Sequence, residues 1–261
     1  MTMETIEIVA PAFVAGLLVA FAHAPLGIEV LRRGIVFIDL AIAQIVGLVI
    51  VVLALVGHEG SWLEVQGVTA AAAVAAALFF RWVEKVLPDE QEAVIGCCYV
   101  LAASAALLAL DRHPHGGEEM TRLLSGQILL ASWTDIAVAA PVLAGVGAVW
   151  LAAPKLRQGV AFFILFALAV TAAVRLVGVY VVFSSLILPA LAVNARNGPR
   201  LGMAWASAGT AVLGGILVSS LLDLPAGPVL VIAFAVSALA FRLALSRPPF
   251  HDSGGSRSLR E

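Results

Sequence analysis

The residue of this 261-residue chain that most strongly suggests chemistry is Asp39, a carboxylate that lies within a long apolar run. A charged side chain inside a membrane span costs about 2.5 to 3.5 kcal/mol on insertion scales, so such a residue is interpreted first as functional. Gln44 follows in the same predicted helix. Because an α-helix has 3.6 residues per turn, the two side chains lie roughly 140° apart. They cannot chelate one ion jointly without a distortion.

Each of these two residues also has a structural interpretation. Asp39 closely follows Arg32 and Arg33, and a carboxylate at the membrane interface could pair with either arginine. Gln44 is deeper and neutral, and an amide at that depth commonly hydrogen-bonds to a neighbouring helix. The sequence therefore predicts a pathway residue at Asp39, with Gln44 as its possible companion.

A second set of candidate ligands occupies the polar segment 111–119, which contains His113 and His115. Imidazoles and carboxylates at this density can hold a borderline cation such as zinc. Their spacing matches no standard closed site, and a solvated loop explains the same residues. Two other polar residues favour structural roles: His23 stands alone at the predicted end of the first span, and Asp135 closes a predicted capping box that begins at Ser132.

The composition shows what kind of elements must position these residues. Hydrophobic residues make up 62% of the chain and charged residues 12%, and the mean hydropathy is +1.05, far outside the range of soluble proteins. Several apolar runs approach the ~20 residues that a helix needs to cross a bilayer. The runs do not alternate between polar and apolar residues, as a membrane-spanning barrel would require. The fold class is therefore an all-α, polytopic transmembrane helix bundle.

Borders formed by charged residues, proline and glycine predict about eight or nine spans. The weakest border is Arg175, which alone divides an apolar stretch too long for one helix and short for two. The predicted spans are 8–24, 35–56, 66–83, 93–110, 131–152, 159–174, 176–193, 201–221 and 226–245.

The distribution of Lys and Arg predicts the orientation, because short loops rich in these residues remain cytoplasmic. An N-out, C-in arrangement leaves only Arg112, Arg122 and Arg175 of the 15 basic residues outside. Residues 1–245 then form a single transmembrane domain. Residues 246–261 are polar and rich in helix breakers, which predicts a disordered cytoplasmic tail.

Several classes of function are disfavoured by the sequence. The net charge of -2, without a basic patch, gives no reason to expect a nucleic-acid partner. The chain has no phosphate-binding loop, so it cannot by itself take energy from ATP in the usual way. It also has no nucleophile elbow or zinc-protease helix. We expect a protein that is not an enzyme and that depends on a partner or an ion gradient.

The order of four motifs over about residues 20 to 240 resembles the permease family of zinc and manganese ABC importers. The motifs are Leu26-Gly27 with Leu31-Arg32-Arg33-Gly34 and Asp39, then Glu92-Ala93-Val94-Ile95-Gly96, then Leu123-Leu124-Ser125-Gly126-Gln127-Ile128-Leu129, and finally Val177-Gly178-Val179-Tyr180, Leu188-Pro189-Ala190 and Leu222-Asp223-Leu224-Pro225-Ala226-Gly227-Pro228.

This resemblance implies a multi-pass subunit of the inner or plasma membrane that pairs with a second permease copy. The implied partners are cytoplasmic ATPase subunits and an extracytoplasmic metal-binding protein. A divalent metal, zinc or manganese, would be the transported substrate, with no permanently bound cofactor. Asp39 would correspond to the family's pathway carboxylate, and the Arg-bearing inner loops would meet the ATPase.

The sequence departs from the family pattern in two places. The family's histidine four residues after the aspartate is Ala43 here, and the proline that follows it is also missing. The inner loop 153–158 is shorter than the family segment that docks on the ATPase. These departures leave two alternatives open, a gradient-driven carrier on the same scaffold and a non-transporting membrane protein with an assembly or sensory role.

Overall fold

The structure, a computed structural model, describes residues 3–56, 62–110, 124, 126, 128–194 and 201–246. Nine α-helices and no strands occur in these ranges, which confirms the predicted all-α bundle. Eight helices are long and apolar enough to cross a membrane, and the seventh is shorter at 15 residues. The helices are α1 (Met3–Arg33), α2 (Ile38–Leu55), α3 (Trp62–Val86), α4 (Gln91–Leu110), α5 (Trp133–Ala152), α6 (Gly159–Val177), α7 (Val179–Val193), α8 (Leu201–Leu222) and α9 (Ala226–Ser246).

Helices α1 and α6 form the centre of the bundle. Helix α1 packs on α5, α6, α7 and α8, and α6 also contacts α2 and α3. Helices α2, α3 and α4 pack together on one side, whereas α7, α8 and α9 pack together on the other. Apart from Thr171 and Arg175, α6 is apolar, so its neighbours can enclose it, and twelve of its 19 residues are buried.

The prediction that the first span ends at residue 24 is wrong. Helix α1 continues through Pro25 to Arg33. A proline inside a helix removes one N–H donor and leaves the carbonyl four residues earlier without a partner. Here that carbonyl belongs to Phe21, and the indole Nε1–H of Trp205 on α8 donates to it at 3.1 Å. A neighbouring helix thus supplies the missing hydrogen bond, which is how membrane helices tolerate proline.

The break between α6 and α7 also differs from the prediction. Arg175 lies inside the last turn of α6, and the interruption falls at Gly178. Gly178 has a φ of 79°, a conformation that an L side chain rarely adopts and glycine adopts at little cost. A single residue therefore connects two helices, α6 of 19 residues and α7 of 15 residues.

Close approach of α1 and α7 depends on Gly27. A Cβ atom at this position would lie 2.8 Å from the backbone carbonyl carbon of Leu186 and 3.3 Å from its Cα atom. Only a residue without a side chain fits such a backbone contact, as in other tightly packed membrane helices. The backbones of the two helices therefore come closest together where Gly27 meets Leu186.

The predicted disordered tail lies outside the described residues apart from Ser246, the last residue of α9. The N-out, C-in orientation remains a prediction. The terms inner end and outer end are used below in the sense of that prediction.

Candidate functional site

Asp39 lies in the first turn of α2 and is almost completely buried, with 1% of its surface exposed. The backbone N–H groups of Asp39 itself and of Leu40 lie near its carboxylate. Even so, neither carboxylate oxygen has a hydrogen-bond partner of normal geometry. A buried carboxylate without partners is expensive, because burial disfavours an unpaired charge. Its presence points to a ligand rather than to a structural contact.

The structure does not support the alternative in which Asp39 pairs with Arg32 or Arg33. Both arginines bind Glu29 on their own helix, at 2.6 Å for Arg32 and 2.8 Å for Arg33. Arg33 also binds Glu84 on α3 at 3.2 Å. The basic pair at the end of α1 therefore neutralises other carboxylates.

Gln44 is also buried, with 6% exposed, as is Ala43, with 1%. The predicted angle of about 140° between Asp39 and Gln44 holds along the regular helix α2, and neither oxygen of Asp39 hydrogen-bonds to Gln44. Gln44 as a second ligand stays a prediction. Ala43 lies one turn beyond Asp39 on the same side of α2.

The candidate ligands His113 and His115 lie outside the described residues, as does the whole segment 111–120. Within the part of the chain that the structure describes, no group of three or more His, Cys, Asp or Glu side chains is arranged to hold a metal ion. The best candidate for an ion-binding residue is therefore Asp39.

Glu92, at the start of α4, faces the beginning of α2. Its Oε1 atom accepts a hydrogen bond from the backbone N–H of Phe37 at 3.2 Å. Phe37 is the N-cap residue of α2, and its own side chain makes no capping hydrogen bond. The second oxygen of Glu92, Oε2, is buried and has no hydrogen-bond partner of normal geometry, although the backbone N–H of Val36 lies near the carboxylate. Sequence reasoning had included Glu92 only as part of a motif, because nothing local indicates that α4 begins beside α2.

His23 is fully buried in the middle of α1, not at a helix end as predicted. Its Nδ1 atom lies 2.7 Å from Oγ of Ser185 on α7, and its Nε2 atom has no hydrogen-bond partner. This contact links α1 and α7 through a polar pair. We assign it a packing role, because among the described residues it belongs to no group of three or more His, Cys, Asp or Glu side chains.

Asp135 forms the predicted capping box with Ser132. Its backbone N–H donates to Oγ of Ser132 at 3.2 Å, and its Oδ2 accepts from the backbone N–H of Ser132 at 2.9 Å. These reciprocal bonds satisfy N–H groups that the start of α5 would leave free. The role of Asp135 is therefore structural.

The short inner loop forms a turn of 3-10 helix over Pro154–Arg157. The backbone carbonyl of Arg157 accepts from Nη2 of Arg33 at 3.2 Å, and the Arg33 guanidinium lies 4.1 Å from the centre of the Phe162 ring. The side chain of Arg157 donates to the backbone carbonyl of Trp150 at 2.8 Å. The turn is thus held to α1, α5 and α6.

Comparisons with known proteins identify a matching family and a solved structure with the same fold. A family model described as the ABC 3 transport family matches residues 5–154 and 153–244. A chain of PsaBC from Streptococcus pneumoniae, solved in complex with a Fab, superimposes with a TM-score of 0.68 at 18% sequence identity. The match covers 92% of this chain and 95% of that chain, so the two share a fold. No curated protein sequence matches the chain significantly.

Proposed function

The chain belongs to the ABC 3 transport family, and we propose that it is the permease subunit of an ATP-driven importer of divalent transition-metal ions, zinc or manganese. The eight candidate spans among the described residues make it a multi-pass membrane protein. The resemblance of its motifs to zinc and manganese importers supports a metal substrate. The inner or plasma membrane is the corresponding location.

The observation that carries the proposal is the burial of Asp39 without a partner for either carboxylate oxygen. A stable membrane protein gains nothing from such a group unless a cation or proton visits it. Asp39 lies in the first turn of a helix that contacts α3, α4, α6 and α7. A carboxylate at this position can interact with an ion that moves along the bundle.

Energy would come from partner subunits. The sequence contains no phosphate-binding loop, and we propose that two cytoplasmic ATPase subunits supply ATP hydrolysis. A second permease copy would complete the bundle, and an extracytoplasmic metal-binding protein would deliver the ion. The inner turn Pro154–Arg157 is the proposed contact for the ATPase.

The test is uptake of radioactive zinc and manganese by cells that express this chain with its ATPase and binding protein. We expect uptake of at least one metal, and we expect the substitution Asp39→Asn to abolish it. Asparagine is nearly isosteric with aspartate, so the loss would report charge and ligand strength rather than packing. Asp135→Asn is the matched control, because that carboxylate caps α5 and lies outside the proposed ion pathway.

The outcome against the proposal is a correctly inserted protein that takes up neither metal in the presence of its partners. A gradient-driven carrier is the second candidate, favoured by the shortness of the turn Pro154–Arg157. That candidate predicts uptake that persists with a catalytically dead ATPase and collapses when the proton gradient is dissipated. A non-transporting protein predicts that Asp39→Asn leaves metal accumulation unchanged.

A further inference from the structure

A cleft opens at the inner end of the bundle between α5 and α8. Both helices pack on α1 but not closely against each other, so a strip of α1 lies uncovered between them. In the middle of the bundle the ring of Phe21 fills this gap, because it lies against Gly147 of α5 and stacks on Trp205 of α8. Towards the inner end the gap stays open as a cleft of about 420 Å³.

The cleft has an apolar floor and a polar rim. Pro25 of α1 and Trp150 of α5 are buried at its floor, and the half-buried Leu201 of α8 lies beside them. The polar side chains that line it are Glu29, Arg32, Arg157 and Gln158. Tryptophan is enriched at the level of the lipid headgroups, where one side of the ring is apolar and the other is wet. The lining of the cleft is therefore amphiphilic, as a site at that level requires.

Positive charge prevails in the lining. Its one carboxylate, Glu29, accepts hydrogen bonds from both Arg32 and Arg33, at 2.6 and 2.8 Å, so its charge is already compensated. Arg157 takes part in none of the salt bridges found in the described ranges. The cleft thus presents two guanidinium groups, and one of them has no carboxylate partner among the described side chains.

Both guanidinium groups keep N–H donors for a ligand. Arg32 binds Glu29 through Nη2, and 64% of its side chain is exposed. Arg157 uses Nε and Nη2 for the backbone carbonyls of Trp150 and Leu151, at 2.8 and 3.4 Å, which leaves its Nη1 group. Gln158 adds an exposed amide that makes no capping hydrogen bond to α6. Planar guanidinium groups of this kind bind phosphate oxygens in pairs.

We propose that this cleft binds an anionic phospholipid of the cytoplasmic leaflet, with the phosphate on Arg32, Arg157 and Gln158 and the apolar part of the lipid against Trp150 and Pro25. Anionic lipids give the cytoplasmic leaflet a negative surface potential, and basic pockets between membrane helices on that side bind their headgroups. The inference goes beyond the proposed function, because it concerns a lipid site and does not depend on which ion is transported.

An acidic side chain of the ATPase is the alternative ligand, since Arg157 belongs to the turn Pro154–Arg157 that we propose as the ATPase contact. The lipid is favoured because the cleft lies in a gap between two membrane-spanning helices and has an apolar floor. A carboxylate from a soluble subunit gains nothing from such a floor.

The simpler role for Arg157 is to bind the carbonyls that the end of α5 leaves free. That role accounts for its bonds to Trp150 and Leu151. It does not account for the open cleft in front of the guanidinium group or for the second arginine, Arg32, on the opposite wall.

The experiment is native mass spectrometry of the purified full-length chain in detergent, titrated with phosphatidylglycerol or with phosphatidylcholine of the same acyl chains. We expect phosphatidylglycerol to bind more tightly. Arg32→Gln and Arg157→Gln should each weaken its binding about fivefold, the contribution of one basic residue near an anionic lipid. Lys155→Gln is the matched control, because it removes the same charge from an exposed residue of the same turn that does not line the cleft. It should bind phosphatidylglycerol like the native protein.

A second variant, Leu201→Trp, keeps every charge and fills part of the cleft, so it should also weaken phosphatidylglycerol binding. Native binding by both arginine variants would overturn the inference, and so would an equal loss in Lys155→Gln. Arginine variants that bind phosphatidylglycerol normally but no longer co-purify with the ATPase would assign the cleft to that subunit instead.

Should the arginine variants not fold, the native protein still tests the site. Photoactivatable phosphatidylglycerol should label peptides that contain residues 25–32, 150–158 or 201–205, and excess unlabelled phosphatidylglycerol should suppress this labelling. Labelling confined to other segments would refute the proposed lipid site.

Discussion

The indole Nε1–H of Trp205 donates a hydrogen bond of 3.1 Å to the backbone carbonyl of Phe21, the carbonyl that Pro25 leaves without a helical donor. The two aromatic rings also stack, with centroids 5.6 Å apart. Helix α8 thus completes the backbone hydrogen bonding of α1 across the bundle. This contact stabilises α1 at its proline, close to His23 and Gly27, where α1 packs on α7.

The first prediction concerns this hydrogen bond. Trp205→Phe keeps an aromatic ring against Phe21 and removes the N–H donor, so the carbonyl of Phe21 is left unsatisfied. Leaving one buried acceptor unpaired costs about 1 to 3 kcal/mol. We expect a corresponding decrease in thermal stability of the detergent-solubilised protein, measured by unfolding monitored with circular dichroism.

The control repeats Trp205→Phe in a protein that also carries Pro25→Ala. The alanine restores a backbone N–H that can donate to the carbonyl of Phe21 within α1. In that background the additional loss caused by Trp205→Phe should be much smaller. Equal losses in the two backgrounds would show that ring packing, rather than the hydrogen bond, accounts for the effect.

The second prediction concerns the close approach of α1 and α7. Gly27→Ala would place a Cβ against the backbone of Leu186, and backbone cannot move aside as a flexible side chain can. Overpacking of this kind destabilises proteins by about 1 to 3 kcal/mol. Gly47→Ala is the control, since a Cβ there meets nothing within 4 Å. A Gly27→Ala protein that unfolds at the same temperature as Gly47→Ala would contradict the predicted contact.

The third prediction concerns the ion cluster formed by Glu29, Arg33 and Glu84 at the inner end. Only 15% of the Arg33 side chain and 8% of the Glu29 side chain are exposed. Arg33→Gln removes the bonds of Arg33 to both acids, which keep Arg32 and Arg81 as their remaining partners. The expected loss is about 1 to 3 kcal/mol of unfolding free energy. The adjacent Arg32→Gln serves as the control.

The Arg32 side chain is 64% exposed, so its pair with Glu29 contributes at most about 1 kcal/mol. The two variants carry the same change of charge and differ only in burial and partners. Equal unfolding temperatures for them would mean that the bonds of Arg33 to Glu29, Glu84 and the Arg157 carbonyl add no stability beyond that of the exposed Arg32 pair.

The fourth prediction concerns metal preference. Ala43→His places an imidazole one helical turn from Asp39, where both side chains can reach one ion. Because imidazole is a better ligand for zinc than an oxygen is, zinc should gain affinity relative to Mn²⁺ in competition binding. Ala43 is buried, so Ala43→Leu serves as the control for overpacking. A Zn²⁺ preference that is the same in the histidine and leucine variants would refute the prediction.

The apolar runs predicted the helices well. Helices α2, α4, α5, α8 and α9 begin and end within about three residues of their predicted spans, because lipid selects long apolar segments and charged or breaker residues end them. The Ser132 and Asp135 capping box was also predicted correctly, since both of its partners lie within one turn. Such features depend on residues close together in sequence.

The prediction that the first span ends before Pro25 failed because the residue that decides it is distant in sequence. Proline is a local signal for a helix end, but the donor that allows α1 to continue is Trp205, 184 positions away. The error at Arg175 has a related origin, because a charged residue in the last turn of α6 looked like a border while the true break is at Gly178. The outcome at Pro25 cannot be read from the neighbouring residues, whereas Gly178, three residues after Arg175, was a local signal for a helix end.

The sequence by itself determined that the chain is a polytopic helical bundle with a carboxylate at Asp39, because hydropathy and the cost of a charge in lipid act on each segment separately. Only the tertiary structure decided which groups surround that carboxylate. It separated Asp39 from Arg32 and Arg33, and it brought Glu92 to the start of α2 through a hydrogen bond between residues 55 positions apart. The physical reason is that hydrogen bonds and charge interactions act over a few ångströms in space, and the packing of helices, not the order of residues, decides which polar groups come that close.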